Sequence, residues 1–242
     1  MWRTDIQTVS ISFFRFEPVW ARLWVLGQMG AARLSFMQMP EVRFWKLCGS
    51  GKGEGFTPRP NTRVWAILAV WDDEKTARGR TQNAPVYRRW RARADECWTV
   101  FLSAQSARGQ WSGTAPFAAD AEKDAPGALA VLTRATIKLS ALPHFWGKEP
   151  AISAAIGADP NVLFKIGVGE VPFLHQVTFS IWPDTSSMIA FARRDGPHAR
   201  AVQAVREGDW FQEELYARFR VLGATGAWEG RNPLATYERP AA

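Results

Sequence analysis

Cysteine and histidine are scarce in this chain. Two cysteines, Cys48 and Cys97, and three histidines stand among 242 residues. The cysteines have no CxxC spacing and no histidine close by, so neither a zinc site nor a structural disulfide is expected. Long apolar runs are also missing. The longest, Val64-Trp-Ala-Ile-Leu-Ala-Val-Trp71, is far too short to span a bilayer. The opening Met1-Trp-Arg-Thr-Asp lacks the apolar core of a signal peptide. These absences predict a cytoplasmic protein, either free or peripheral on the inner membrane face.

Acid is in deficit, and the net charge is +7. The acidic residues read as turn and exposed-face residues, with no pair that asks for a catalytic role. No HExxH, EF-hand or Ser-His-Asp order occurs. Cys48-Gly-Ser-Gly-Lys-Gly-Glu-Gly55 looks superficially like a phosphate loop. It lacks G-x-x-x-x-G-K-[ST], and Phe56-Thr-Pro-Arg-Pro60 follows it instead of a helix. A hairpin connection passing near a ligand or another backbone is the better reading.

What remains is ordinary globular usage, 47% hydrophobic and 22% charged, with one excess: 13 tryptophans. Basic charge with many aromatics fits a nucleic-acid surface or an anionic membrane surface. The Lys and Arg are scattered, however, and Trp is a large core residue, so composition alone favours a plain core. Residues 236–242 read as a loose tail.

The chain also repeats itself. Gly109-Gln-Trp-Ser-Gly-Thr-Ala-Pro-Phe117 matches Gly226-Ala-Trp-Glu-Gly-Arg-Asn-Pro-Leu234 as G-x-W-x-G-x-x-P-apolar. Upstream, Trp65–Asp73 parallels Gln176–Asp184, and Arg43–Gly51 parallels Leu163–Gly169. Each half reads as strand, helix, strand, strand, helix, strand, the ferredoxin-like split βαβ order. First-half strands are predicted at Val9–Phe16, Val42–Leu47, Val64–Trp71 and Cys97–Leu102, with helices from Pro18 to Met29, Asp73–Arg80 and Pro85–Asp95. Second-half strands are predicted at Leu129–Lys138, Val162–Val168, Gln176–Trp182 and Arg218–Leu222. Helices are expected at Ser140–Ile156, Thr185–Arg193 and Pro197–Tyr216. The fold class is therefore α+β: two fused ferredoxin-like βαββαβ repeats in a dimeric-type α+β barrel with helices outside. Residues 1–108 form the first repeat and 127–235 the second. The joint at 109–126 lies within a Gly-, Ala-, Pro- and Asp-rich stretch that starts near Ser103.

A site needed once should break the repeat. The second helix of each half starts after a proline, and there Val86 in Ala84-Pro-Val answers to His198 in Gly196-Pro-His. Helical spacing puts Ala201, Val202 and Val205 on the face of His198, with small alanines beside it. That arrangement suits a proximal haem ligand, or equally a core histidine bonded to a carbonyl. His175 shares strand phase with Val177, Phe179 and Ile181. If that face meets the helices, His175 approaches the same pocket as a distal group, a second ligand or a strand-end hydrogen bonder. His144, near a helix start, is the weakest of the three.

Longer motifs now converge. They are Arg22–Met29, Gly53-Glu-Gly-Phe-Thr-Pro58, Val64–Trp71, Leu163–Pro172, Leu174–Asp184, Gly196-Pro-His198, Val205–Phe211 and Glu214–Arg218. Together they resemble the spheroidene monooxygenase family from about Val9 to Leu234. The resemblance implies a haem-dependent, O2-using ketolase acting at C-2 of acyclic carotenoids in photosynthetic bacteria, with a reduced ferredoxin-type donor. It also implies peripheral contact with the inner (chromatophore) membrane and no nucleic acid, and it leaves the oligomeric state open.

The chain is more weakly similar to haem-containing aldoxime dehydratases, which carry an axial histidine after a proline near a helix start. His198 fits that place, so the resemblance implies it as the iron ligand. With His198 so placed, the helical spacing makes Ala201, Val202 and Val205, together with Phe179, the expected haem wall, with His175 as the expected catalytic group. Phe44, Trp45, Trp65, Phe164 and Phe179 are candidates to line the carotenoid path. A thiolate from Cys48 or Cys97 is the weaker ligand choice. Alternative readings are an aldoxime dehydratase-like lyase and a non-enzymatic, Trp-rich lipid- or nucleic-acid-binding module.

Overall fold

Thr8–Arg15 (β1) is buried on both faces almost throughout: Val9, Ile11 and Phe13 share one core layer and alternate with the small hydroxyls of Thr8, Ser10 and Ser12, which are buried on the other face. The computed structural model describes residues 6–53, 57, 59–120, 127–147, 159–193 and 208–235. After β1 come α1 (Val19–Met37), β2 (Val42–Gly51) and β3 (Pro60–Trp71). Next are α2 (Glu74–Asn83), α3 (Pro85–Arg91) and β4 (Glu96–Gly109). The second half supplies β5 (Leu129–Ile137), β6 (Phe164–Gly169), β7 (His175–Trp182), α4 (Thr185–Arg193) and β8 (Phe211–Gly226). Local chemistry starts the helices. The Asp73 side chain accepts the Thr76 amide at 2.7 Å as the cap of α2, and Pro85 occupies the first turn of α3.

The eight strands close an antiparallel barrel in the order β1-β3-β2-β6-β7-β5-β8-β4. Each half contributes its strands in the same spatial order, fourth-first-third-second. The two seams are unequal. β4 and β8 pair from Trp98↔Gly226 to Gly109↔Leu215, whereas β2 and β6 meet at Gly49↔Gly169 and Ser50↔Val168.

Closure splits the core into layers. The lumen holds Val9, Ile11, Phe13, Trp98, Phe164 and Phe179 among others. Outside the first half, Phe14, Phe36, Trp71, Tyr87 and Trp90 pack under α1–α3. Outside the second half, Leu129, Trp182, Met188 and Phe191 form a smaller layer under α4. The tryptophan excess is mostly core: Trp71, Trp90, Trp98 and Trp111 are fully buried.

Some expectations shift. The predicted helix Pro197–Tyr216 is strand from Phe211 onward, and residues 197–207 lie outside the described residues. Leu215, Ala217 and Phe219 are buried in alternation, the period of a strand gripped by β4 on one edge and β5 on the other. β4 likewise continues through Ser103 to Gly109, so the stretch from Ser103 is strand before it is joint. Of helix Ser140–Ile156, a 3-10 turn at Leu139–Ala141 and helix at 142–147 are described. Of the glycine-rich stretch, Cys48–Gly51 is the end of β2 paired with β3, and Lys52 N donates to Arg59 O at 2.7 Å just beyond it.

Candidate functional site

The two G-x-W-x-G segments fold into the same turn, one at each end of the barrel. Gly109 and Gly226 have φ of 90° and 85°, Ser112 and Glu229 both 55°, and Gly113 and Gly230 both 74°. Trp111 and Trp228 bridge to Thr114 and Arg231. A Cβ on Gly109 would strike the Glu214 carbonyl, and one on Gly226 the Cys97 carbonyl, so strand contact demands glycine at both. Glu213 accepts the Gly113 amide at 2.7 Å and Glu96 accepts the Gly230 amide at 3.0 Å.

The side chains around the two turns differ. At the Trp111 end, Trp111 Nε1 donates to Glu170 at 2.7 Å, and Lys46 Nζ lies 2.8 Å from the other Glu170 oxygen. His175 Nδ1 stands 3.5 Å from Glu170 and is buried. Burial would push the Glu170 carboxyl up, but bonds from His175, Lys46 and Trp111 outweigh it and hold the group at about 2. Arg134, with a side chain 1% exposed, pairs with Glu213 and lies 5.8 Å from the Trp111 ring. Glu213 also stays below the usual carboxylate range: burial opposes this, while the Gly113 and Ser112 amides and Arg134 prevail.

The Trp228 end is aromatic where the Trp111 end is ionic. Phe13, Trp98, Phe164, Phe179 and Trp228 stack as a plug, with centroids 4.7 Å apart for Trp98–Phe164 and 5.2 Å for Phe13–Phe164. Arg15 lies over Trp228 at 4.7 Å and pairs with Glu96 at 3.0 Å. A cavity of about 390 Å³ opens here, walled by Phe164 and Trp228 and rimmed by Arg15, Ser50, Asn61 and Lys165. Its size is within the range of small-molecule sites.

The structure brings only some of the sequence candidates together. His175 shares strand phase with Val177, Phe179 and Ile181, and that face looks into the barrel rather than toward the helices, so the condition under which His175 would approach a helix-side pocket is not met. Phe179 is locked in the aromatic plug, 5.9 Å from Phe13 and 6.2 Å from Phe164. Phe44 and Phe164 also face the lumen, whereas Trp45 and Trp65 belong to the outer layer, Trp45 stacking on Phe36 at 5.2 Å. His144 is exposed, 6.2 Å from the Trp210 ring. His198, Ala201, Val202 and Val205 lie outside the described residues. Val86, the counterpart of His198, is fully buried.

The described residues do not fit a haem by themselves. The cavity wall carries no imidazole and no thiol. His175 faces Glu170 within a packed ionic cluster. Burial pushes both the Cys48 and Cys97 thiols up, the reverse of what a thiolate ligand requires.

Sequence reasoning passed over Lys46, Glu170, Arg134, Glu213 and Trp111, and it set the acids aside as turn residues. A signal was available. Aligned by the repeat, Lys46 answers to Ile166, Arg134 to Phe13, Glu170 to Ser50 and His175 to Val64. Ionisable residues stand on or just beyond inward strand positions in one copy where the other copy has none.

No family model matches the chain. It is 54% identical over 230 residues to spheroidene monooxygenase of Cereibacter sphaeroides, covering 95% of this chain and 71% of that protein. To spheroidene monooxygenase of Rhodobacter capsulatus it is 52% identical over 229 residues, 94% of this chain and 95% of that protein. The Rubrivivax gelatinosus spheroidene monooxygenase is 35% identical over 214 residues, 87% of this chain and 81% of that protein. Among solved structures, an aldoxime dehydratase in complex with butyraldoxime superposes with a TM-score of 0.58 at 11% identity, covering 91% of this chain and 82% of that one. A second aldoxime dehydratase gives 0.56 at 12%, covering 91% and 84%. The structural likeness is one of fold.

Proposed function

Because the chain belongs to the spheroidene monooxygenase family, we propose that it introduces a keto group at C-2 of spheroidene and related acyclic carotenoids. The observation that carries this reading is the 52% identity to the Rhodobacter capsulatus protein across 95% of its length. The reaction is two successive hydroxylations at one carbon. In each, one atom of O2 enters a C–H bond and the other leaves as water, with two electrons from a reduced ferredoxin-type donor and two protons. The resulting geminal diol loses water to leave the ketone.

Haem is the proposed oxygen-activating group, with His198 as its ligand and Ala201, Val202 and Val205 beside it. When bound it would supply the oxidising chemistry, while the protein positions substrate and excludes water. This part rests on family resemblance and on the Val86/His198 break in the repeat. Among the described residues, His175 is the group proposed to hold and pass a proton, because its Nδ1 faces a carboxylate that stays ionised.

Purified protein given spheroidene, O2 and a reducing ferredoxin system should yield the ketone, recognised by a mass gain of one oxygen less two hydrogens. Absence of ketone together with nitrile formation from an aldoxime would transfer the chain to lyase chemistry. Protein made with ample haem should show a Soret band that His198→Ala abolishes. Full haem binding by that variant would remove His198 as ligand.

A further inference from the structure

α1 buries one side against the barrel through Ala21, Val25, Ala32 and Phe36. The opposite side is apolar and exposed. Val19, Trp20, Leu23, Leu26, Leu34 and Met37 are each between 56% and 74% exposed and fall on one broad stripe by helical spacing. Leucines scattered singly on a surface need no explanation, but six large apolar side chains along one helix do. Among the described tryptophans Trp20 is the exposed one, and it sits on this stripe. No helix among the described residues is long and apolar enough to cross a membrane.

Charge frames the stripe on both edges. Arg33, exposed, lies along one edge. Along the other, Arg93 stacks over Trp24 at 4.5 Å and Arg89 donates to Ser35 at 3.3 Å. α1 itself contains no Asp or Glu. The acids nearest in sequence, Glu17 and Glu41, sit beyond its two ends and are paired with Arg63 and Arg80, and Asp95 accepts from the Glu17 amide beyond the first of them.

We propose that this face of α1 lies in the surface of an anionic lipid bilayer, with the stripe in the acyl boundary and the flanking arginines on the headgroups. An apolar face bordered by cations, with Trp at the edge, is the composition that binds in the plane of such a surface. A second copy of the chain fits worse. Two-fold pairing through α1 would set arginine rims against arginine rims with no acid on either helix to answer them. The inference stands on α1 alone and does not depend on the carotenoid reading.

The test is sedimentation of the intact protein with vesicles of phosphatidylcholine alone and of phosphatidylcholine with phosphatidylglycerol, in low and high salt. Binding should require the anionic lipid and weaken in high salt. The double substitution Leu23→Glu/Leu26→Glu, both exposed, should lower it at least about tenfold with the unfolding midpoint kept. Undiminished binding by a folded variant overturns the proposal. So does a vesicle-free dimer that the same substitution dissociates, and so does failure to bind anionic vesicles at all. Should the variant unfold, Arg89→Glu/Arg93→Glu must give the same loss for the proposal to stand.

Discussion

Trp111 and Trp228 hold equivalent places in one repeated turn, yet the Trp111 indole donates to Glu170 at 2.7 Å while Trp228 lies beneath Arg15 at 4.7 Å. The same backbone thus carries an ionic cluster at one end of the barrel and an aromatic plug at the other.

Glu170 is held at about 2 against an ordinary 4.5. A lowered folded value means its contribution is complete above about pH 4.5 and disappears as pH falls through about 2. Up to about 3 kcal/mol of stability should be lost across that interval. Glu170→Gln should be less stable at neutral pH and flatter below pH 4.5 in denaturant titrations. Parallel curves for the two proteins would contradict the assignment.

Arg134 is buried and its partner Glu213 is partly exposed. Removing the carboxylate by Glu213→Ala strands a buried cation and should cost about 3 kcal/mol in urea unfolding. Arg134→Met keeps volume and leaves Glu213 its two amide donors, so it should cost less. The opposite ranking would show that Arg134 is stabilised by something other than Glu213.

Ala at Gly109 or Gly226 would meet a carbonyl of the facing strand while holding φ near 90°. Each substitution should destabilise by about 2 kcal/mol or more. Similar losses at both are expected because the two turns share one geometry, and a neutral result at either would show that the β4–β8 seam gives way easily.

His175→Gln keeps a polar side chain beside Glu170 but cannot carry the proton. Ketone formation should fall by about a hundredfold with haem content and unfolding midpoint held. An unchanged rate would take His175 out of the reaction.

Cys48→Ala and Cys97→Ala should keep the Soret band and turnover to within about twofold, since buried, protonated thiols are poor iron ligands. Loss of the band in either variant would revive the thiolate reading.

Local pattern and internal repetition determined much by themselves. Pro18 and Pro85 mark helix starts, the Trp-ended runs at Val64–Trp71 and Gln176–Trp182 are strands, and the paired G-x-W-x-G motifs announce a duplicated α+β barrel. Those features depend on a few neighbouring residues and on comparison of one half with the other. The exchange of Val86 for His198 was legible for the same reason. Tertiary structure decided which way the strands face. In a closed barrel with helices outside, both sides of a strand such as β3 are buried, so alternation disappears and cannot tell lumen from helix layer. The strand phase of His175 and Phe179 is therefore legible, but which layer their face meets is not. The strand at Phe211–Tyr216 owes its state to β4 and β5 on its two edges, which a local window cannot see. Lys46, Trp111, Arg134, Glu170, His175 and Glu213 lie far apart along the chain. Only closure of the sheet makes a cluster of them, because each charge becomes tolerable in the interior once its partner arrives from another strand.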